Sequence, residues 1–421
     1  MKAAFHEENR KKLYGMMEPA SLLMVFSGEE VRKTNDEYYP FFAERNFVYL
    51  TGLACKNAAL VAVKSENGRV DERLYILPPD LMAERWTGRR VKPEEARNVS
   101  GVDTVLNIDN LFKDIHTLLS GWHYSFRQEP IRSLYLDLYR ADPADRDRPA
   151  QKMLALAARE YPFLRIRDAS QCLRRLRLIK TPEEIAAFRQ AEEITRDGIL
   201  SMMRASRPGM YEYQYKAEFD RALGQYGPDG PGFPSIISAG KNNFCIHYYA
   251  YTGQAQEGDM VLNDVGAQWD NHITDVSRGW PCNGHFSEKQ KVLYSCALKT
   301  SDHMFAAIRP GMKMAEVDAE IRRYNAERLV DAGVMRSADE IGTYMWHGGA
   351  HHIGYDVHDV VALPETVAPG MVFCIDVGIY HEEWGIGFRL EDNCLITEDG
   401  CENLSGAIPR TIADIEAAMG K

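Results

Sequence analysis

The chain has 421 residues, 45% apolar and 26% charged, which is long enough to bury two separate cores. Its formal net charge of −11 argues against a nucleic-acid backbone or an anionic membrane as partner, since both require a basic face. No stretch approaches the ~18 apolar residues of a membrane span, and the charged N-terminus MKAAFHEENRKKLYGMM lacks the apolar run of a secretory signal.

The first part alternates short apolar runs with helical patterns. SLLMVFSG (21–28), FVYLTGL (47–53), AALVAVK (58–64), RLYILP (73–78) and SLYLDL (133–138) read as strands, and segments near 7–18, 79–86, 108–120 and 149–159 read as helices. This predicts an α/β domain over 1–170. A junction follows near 168–176, where LRRLRLIK (173–180) is the densest basic run and reads as a partly buried linking element. Thr181 and Glu184 then form a capping box with Pro182 at the first helical position. Ile185, Phe188, Ala191, Thr195, Ile199 and Met202 recur at helical spacing, so a second domain is expected over 171–421. Within it RPGM occurs twice (207–210, 309–312), and GDMVLNDVG (258–266) is echoed by GMVFCIDVG (370–378). Both echoes run in the same order, which predicts two related halves, each a helix pair plus a strand hairpin.

VLNDVGAQWDNHITDVSRGWP (261–281) reads as a hairpin turning at Asp270-Asn271. That turn pairs Trp269 with His272, Gly266 with Asp275, and Asp264 with Ser277. Alternation puts Asp264 and Asp275 on one face as diagonal neighbours, about 7–8 Å apart, with Gly266 leaving the space open. Two carboxylates aimed into one void repel unless a cation lies between them; a solvated hairpin face is the plainer alternative. The echoed hairpin carries Asp376, and GIGFRLEDNCLI (385–396) puts Arg389 and Glu391 on one strand face, where an ion pair between them is the structural alternative. HGGAHHIGYDVHD (347–359) adds four of the twelve histidines, His347, His351, His352 and His358. Four carboxylates and one imidazole suit a pair of divalent cations, about 3.5–4 Å apart in two-metal hydrolases. Oxygen-rich ligation favours Mn2+, with Co2+ or Zn2+ as the other choices.

These segments carry a resemblance. EPASLLMVFSGEEVRKTNDEYYPFFAERNFVYLTGL in the first domain, and CIHYYAYTG, the hairpin above, HGGAHHIGYDVHD, PGMVFCIDVGIY and GIGFRLEDN in the second, occur in the order and spacing of the M24 "pita-bread" metallopeptidases. The chain resembles the Xaa-Pro aminopeptidase (aminopeptidase P) branch of that family over nearly its whole length. The resemblance implies a creatinase-like N-terminal α/β domain and a C-terminal α+β pita-bread domain with pseudo-twofold halves. It places Asp264, Asp275, His351, Asp376 and Glu391 at metal-ligand positions, with Asp275 and Glu391 bridging. His247 matches a cleft histidine beside the substrate, His358 one that hydrogen-bonds the scissile carbonyl, and His347 a pocket histidine. Tyr380 and Arg389 match supporting residues; His352 matches none and is assigned to structure. The family has Glu-Pro-Gly where this chain has Asp376-Val377-Gly378, which retracts the carboxylate by roughly 1.5 Å.

The implied activity is hydrolysis of the bond between an N-terminal residue and a following proline, with His358 at the oxyanion and Asp376 moving the proton. A proline wall is sought among Tyr248, Tyr249, Tyr355 and Trp346. The alternatives are an Xaa-Pro dipeptidase of the same fold, a peptide-binding protein weakened in catalysis by Asp376, and metal-independent amidine hydrolysis, which the retained acidic set opposes. The resemblance also implies a homodimer or homotetramer. Eight cysteines without a CxxC pair fit a reducing, cytoplasmic setting.

Overall fold

The computed structural model describes residues 1–120, 130–362 and 366–420, and these form two compact units, Met1–Leu176 and Arg177–Lys421. The first contains, in chain order, α1 (Ala3–Met16), β1 (Ser21–Phe26), β2 (Arg32–Thr34), β3 (Glu37–Tyr38), α2 (Arg45–Thr51), β4 (Ala59–Lys64), β5 (Val70–Ile76), α3 (Leu81–Thr87), α4 (Pro93–Ser100), β6 (Val105–Asn107), α5 (Leu111–Ser120), β7 (Ser133–Leu136), α6 (Pro149–Glu160), β8 (Arg165–Asp168) and α7 (Ser170–Leu178). The division falls inside α7, so the segment read as a junction is helical.

Six strands make one mixed sheet in the order β6-β5-β4-β1-β7-β8. β1 runs antiparallel to β4 and parallel to β7. The central strands β1, β4 and β7 read as near-continuous apolar runs because both faces are covered. On one face Leu22, Met24, Val61, Leu134 and Leu136 pack with Leu111, Ile115 and Leu119 of α5 and Met153 and Ala157 of α6, side chains spaced four apart on each helix.

One predicted strand is a helix. Residues 47–51 belong to α2, which is capped by Gly52 in the left-handed conformation with its N–H on the Val48 carbonyl. Phe47, Val48, Tyr49 and Leu50 are all buried, so the run is apolar on every side and shows neither a strand nor a helix period. The left-handed glycine cap is the local signal for the helix.

The second unit contains α8 (Pro182–Ala205), α9 (Glu212–Leu223), β9 (Ile236–Ala239), β10 (Met260–Val265), β11 (Gln268–Trp269), β12 (His272–Ile273), β13 (Val276–Pro281), α10 (Glu288–Ala307), α11 (Met314–Asp331), α12 (Ile341–Tyr344), β14 (Val372–His381), β15 (Ile386–Ile396), β16 (Cys401–Asn403) and α13 (Ile412–Ala418). The Thr181–Glu184 capping box starts α8: Glu184 N–H reaches Thr181 Oγ1 and Thr181 N–H reaches Glu184 Oε2. The echoed motifs have structural counterparts. RPGM follows α8 in one half and α10 in the other; α8 packs on α9 and α10 on α11; β10–β13 and β14–β15 are the two antiparallel ladders. This is the α+β architecture with duplicated halves. Among the described residues no helix is long and apolar enough to cross a membrane.

The first hairpin has the expected register, Trp269 with His272 and Asp264 with Ser277. Asp270 and Asn271 have φ of 48° and 66°, the type I′ turn that matches strand twist. The space at Gly266 is not open, however. A Cβ there would lie 1.7 Å from the Thr274 carbonyl oxygen, so glycine is required for a close backbone approach. In the second ladder every residue of β14 and β15 is buried. Cys374 stands opposite Asn393, Asp376 opposite Glu391, Gly378 opposite Arg389 and Tyr380 opposite Gly387, so these side chains share one face of the ladder.

Candidate metal centre

That face of the second ladder meets the end of the first hairpin. Asp264 comes from β10, Asp275 from the residue before β13, Asp376 from β14 and Glu391 from β15. Asp264, Asp275 and Glu391 each offer an oxygen, and the three atoms lie within 4.8 Å of one another; His351, Cys374 and Glu391 form a second such group. His351 Nε2 is 3.5 Å from Asp275 Oδ2 and 3.6 Å from Glu391 Oε1. The set opens into a cavity of about 260 Å³ that His247, His347, His358, Asp376 and Arg389 also line.

The histidine segment is held in place by backbone and by charge. Asp376 N–H donates to the Gly349 carbonyl at 2.8 Å and Cys374 N–H to the His351 carbonyl at 2.9 Å, so residues 349–351 run beside β14. At the other end Asp359 N–H donates to the His352 carbonyl at 2.8 Å, and its buried carboxylate pairs with Arg177 and with Lys180 Nζ at 2.8 Å. Burial pushes the Asp359 carboxyl up, but Arg177 and Lys180 outweigh it and hold it far below the usual range. The LRRLRLIK run therefore supplies two buried cations that anchor the segment carrying His358.

Charge in the site is unbalanced. Arg389 is the fixed cation, donating from Nη2 to Asp264 Oδ2 at 2.7 Å. Ser277 Oγ donates to Glu391 Oε2 at 2.8 Å. Asp264 Oδ1, Asp275 Oδ1, Asp376 Oδ1 and Glu391 Oε1 are buried with no hydrogen-bond partner in the protein. Burial and then neighbouring carboxylates push Asp275 and Asp376 well above the usual range; burial also raises Asp264, with Arg389 opposing. Burial disfavours charge on His351 and on Glu391 too, yet each outweighs that penalty for the other, so His351 is raised and Glu391 lowered. One unsatisfied oxygen on each of four converging carboxylates is what a cation site leaves when no cation is counted. The donor set, carboxylate oxygens with one imidazole, fits divalent cations.

Asp264, Asp275, His351 and Glu391 come together as the sequence predicts. Asp376 reaches the cavity but belongs to neither compact group; its Oδ2 lies 3.1 Å from His347 Nδ1. His347 Nδ1 also contacts the Gly348 carbonyl at 2.8 Å, and its Nε2 the Tyr380 hydroxyl at 3.1 Å, which Arg389 Nη1 meets at 3.1 Å. The consistent tautomer has Nδ1–H donating and Nε2 accepting from Tyr380. Gly378 makes this possible: a Cβ there would lie 2.3 Å from His347 Nε2. The His358 ring lies tilted against that of His351, centroids 4.1 Å apart, and burial followed by the His351 charge lowers its pKa. His247 lines the cavity mouth. His352 lies outside it, its ring edge on Phe373, and burial lowers its pKa to about 4.

The proposed proline wall is not where it was sought. None of Tyr248, Tyr249, Tyr355 and Trp346 lines the cavity. Tyr355 is buried against His272, Trp346 stacks on Tyr380 at 4.5 Å, and Tyr248 meets Asn242. Three residues that matter were missed. Ser277 and Asn393 are placed by the strand register; Asn393 Oδ1 accepts from Asp275 N–H at 3.0 Å. Cys374, two residues before Asp376, shares its face by strand alternation, and that periodicity was the available signal. Burial and then Glu391, Asp275 and Asp376 raise its thiol well above the usual value.

Residues 186–398 match the model of metallopeptidase family M24, and residues 6–126 match that of the aminopeptidase P N-terminal domain. The Xaa-Pro aminopeptidase of Escherichia coli K12 is 30% identical, with 98% of this chain and 97% of that protein covered. The Xaa-Pro aminopeptidase of Haemophilus influenzae is also 30% identical, with 98% and 96% covered. In solved structures, the E. coli aminopeptidase P with the inhibitor Pro-Leu is similar at a TM-score of 0.89 and 29% identity, covering all of this chain and 98% of that one. The zinc-substituted form of that enzyme in complex with product is similar at a TM-score of 0.90, with the same identity and coverage.

Proposed function

The chain belongs to metallopeptidase family M24, and on that premise we propose that it is a metal-dependent exopeptidase that hydrolyses the bond between an N-terminal residue and a following proline. The observation that carries the reading is the set of four buried carboxylates, each with one unsatisfied oxygen, around His351. Asp264, Asp275, His351, Glu391 and, at longer reach, Asp376 would hold two divalent cations, Mn2+ foremost, with Co2+ or Zn2+ as the other choices. Bound cations in such a site lower the pKa of water and polarise a carbonyl.

The chain's own residues do the rest. His358 is neutral near pH 7, its pKa lowered, and its N–H donates to the scissile carbonyl oxygen as negative charge develops there. Asp376 Oδ1 is the free oxygen that accepts a proton from the attacking water and passes it to the proline nitrogen; its Oδ2 is steadied by His347 Nδ1–H. Tyr380 and Arg389 fix that histidine from behind, so the base is oriented by a chain of three groups. His247 at the mouth contacts the peptide. The scissile nitrogen of proline carries no hydrogen, so the site needs no acceptor for it. The 171–421 region is the catalytic domain in this reading. The net charge of −11 and the free cysteines support a cytoplasmic protein acting on peptides rather than on nucleic acid or membranes, and the family resemblance supports a homo-oligomer.

The test is release of the first residue from an Xaa-Pro-Xaa tripeptide by chelator-stripped protein, with and without added Mn2+. Turnover restored by metal is the expected result. Cleavage of Xaa-Pro dipeptides alone would make the chain a dipeptidase. No stoichiometric metal and no turnover would leave a peptide-binding protein.

A further inference from the structure

β14 carries a sulfur on the same face as Asp376. Cys374 is completely buried, and its Sγ lies within 4.8 Å of both a His351 ring nitrogen and a Glu391 carboxylate oxygen. Its thiol contacts the His351 carbonyl at 3.4 Å, a long and weak hydrogen bond. Glu391 Oε1 is buried and accepts no hydrogen bond, with His351 Nε2 3.6 Å away. Independently, the carboxylate expected to complete this side, Asp376, is one methylene short and turns to His347. Other cysteines are in neither donor group among the described residues.

We infer that Cys374 is a ligand, through Sγ, of the cation shared by His351 and Glu391, an inference that rests on the metal-site reading above. On coordination the S–H bond breaks heterolytically, the sulfur keeps the electron pair and donates it to the cation, and the proton leaves to solvent; no oxidant or reductant is involved. A thiolate beside an imidazole and a carboxylate is a borderline-soft donor set. It moves the preference at that position from Mn2+ toward Zn2+ or Co2+, which bind sulfur well. A buried cysteine thus becomes a determinant of which ion the chain takes.

The experiment is Co2+ titration of the stripped full-length protein, read by absorption and by metal analysis after dialysis. The natural chain is expected to bind Co2+ with a near-ultraviolet sulfur-to-cobalt charge-transfer band. Cys374→Ser should lose the band while Cys394→Ser keeps it, and the loss of Zn2+ affinity in Cys374→Ser should be at least about tenfold, the minimum that even an outer-shell ligand costs. X-ray absorption of the zinc-loaded natural chain should show a sulfur neighbour at about 2.3 Å, a readout that does not depend on any variant folding. Stoichiometric cobalt with no sulfur band and no sulfur neighbour overturns the inference and leaves the metal site standing. A band that survives in Cys374→Ser assigns the sulfur elsewhere and also overturns it. No bound cobalt at all overturns the metal-site reading and this inference with it.

Discussion

Asp376 and Glu391 stand directly opposite each other across the β14–β15 ladder, both buried, each with one carboxylate oxygen that no protein group satisfies. Like charges in that position repel, and the repulsion is strongest where the surroundings are dry. The arrangement is stable as a site for cations and costly as anything else. It also makes the length of the side chain at 376 a sensitive variable, because Asp376 now spends one oxygen on His347 rather than on the common centre.

Asp376→Glu extends the carboxylate toward Glu391. It is expected to raise Mn2+ affinity by about tenfold or more and to raise kcat on an Xaa-Pro-Xaa tripeptide. Asp376→Asn keeps the shape and removes the base, with an expected fall in kcat of about 10²-fold or more. Manganese titrations of the three proteins, read by peptide release and by equilibrium dialysis, check both. Unchanged affinity in the glutamate variant would show that side-chain length is not what limits binding.

Asp275→Asn should separate stability from function. In the metal-free chain it removes one of several mutually repelling buried carboxylates, so the thermal midpoint rises. The increase in midpoint that Mn2+ gives the natural chain disappears, because the ligand is gone. Paired melts with and without metal measure this. A lower metal-free midpoint for the variant would contradict the charge argument.

The same residue sets a pH dependence. Burial and its neighbouring carboxylates raise Asp275 in the folded chain, so the folded state holds its proton at pH values where the unfolded chain, with a value near 3.8, has lost it. Stability is therefore present at low pH and is lost as pH rises above about 4, by up to about 1.4 kcal/mol per pH unit while that proton alone is coming off. Glu391 is lowered and works in the opposite direction, its contribution lost as pH falls. The difference in unfolding free energy between the natural chain and Asp275→Asn isolates the first term. In metal-free buffer the natural chain should lose ground to the variant from pH 4 to pH 7, and saturating Mn2+ should reverse that trend.

His358→Ala is expected to lower kcat by about 10²–10³-fold, the usual effect of losing one oxyanion donor. Metal content should be unaltered, since His358 belongs to neither compact donor group. Parallel metal analysis and steady-state kinetics distinguish this from a ligand loss, where both fall together.

Asp359→Ala leaves Arg177 and Lys180 buried beside each other without their shared anion. A loss of about 3–5 kcal/mol is expected from denaturant unfolding, as for other buried pairs cut on one side. The segment carrying His358 also loses its anchor, so kcat should fall in protein that is still folded at low denaturant.

Much of the site was legible in the chain. The Asp270-Asn271 turn fixes register by local sterics, and register fixes which side chains share a face, so Asp264 and Asp275 followed from spacing alone. The Thr181–Glu184 cap and the α8 stripe were equally local. Residues 47–53 were misread because a run buried on all sides carries no period, and only its packing makes it α2. What the sequence determined by itself is therefore the inventory, the halves and the facing of each strand, since these depend on bonds a few residues apart. What only the tertiary structure decided is the meeting of the two ladders: that Asp376 pairs with His347, that Cys374 joins His351 and Glu391, and that the expected aromatic wall lies elsewhere. Those outcomes turn on a few ångströms between elements far apart in the chain, where the packing of whole layers, not the spacing of neighbours, sets the distance.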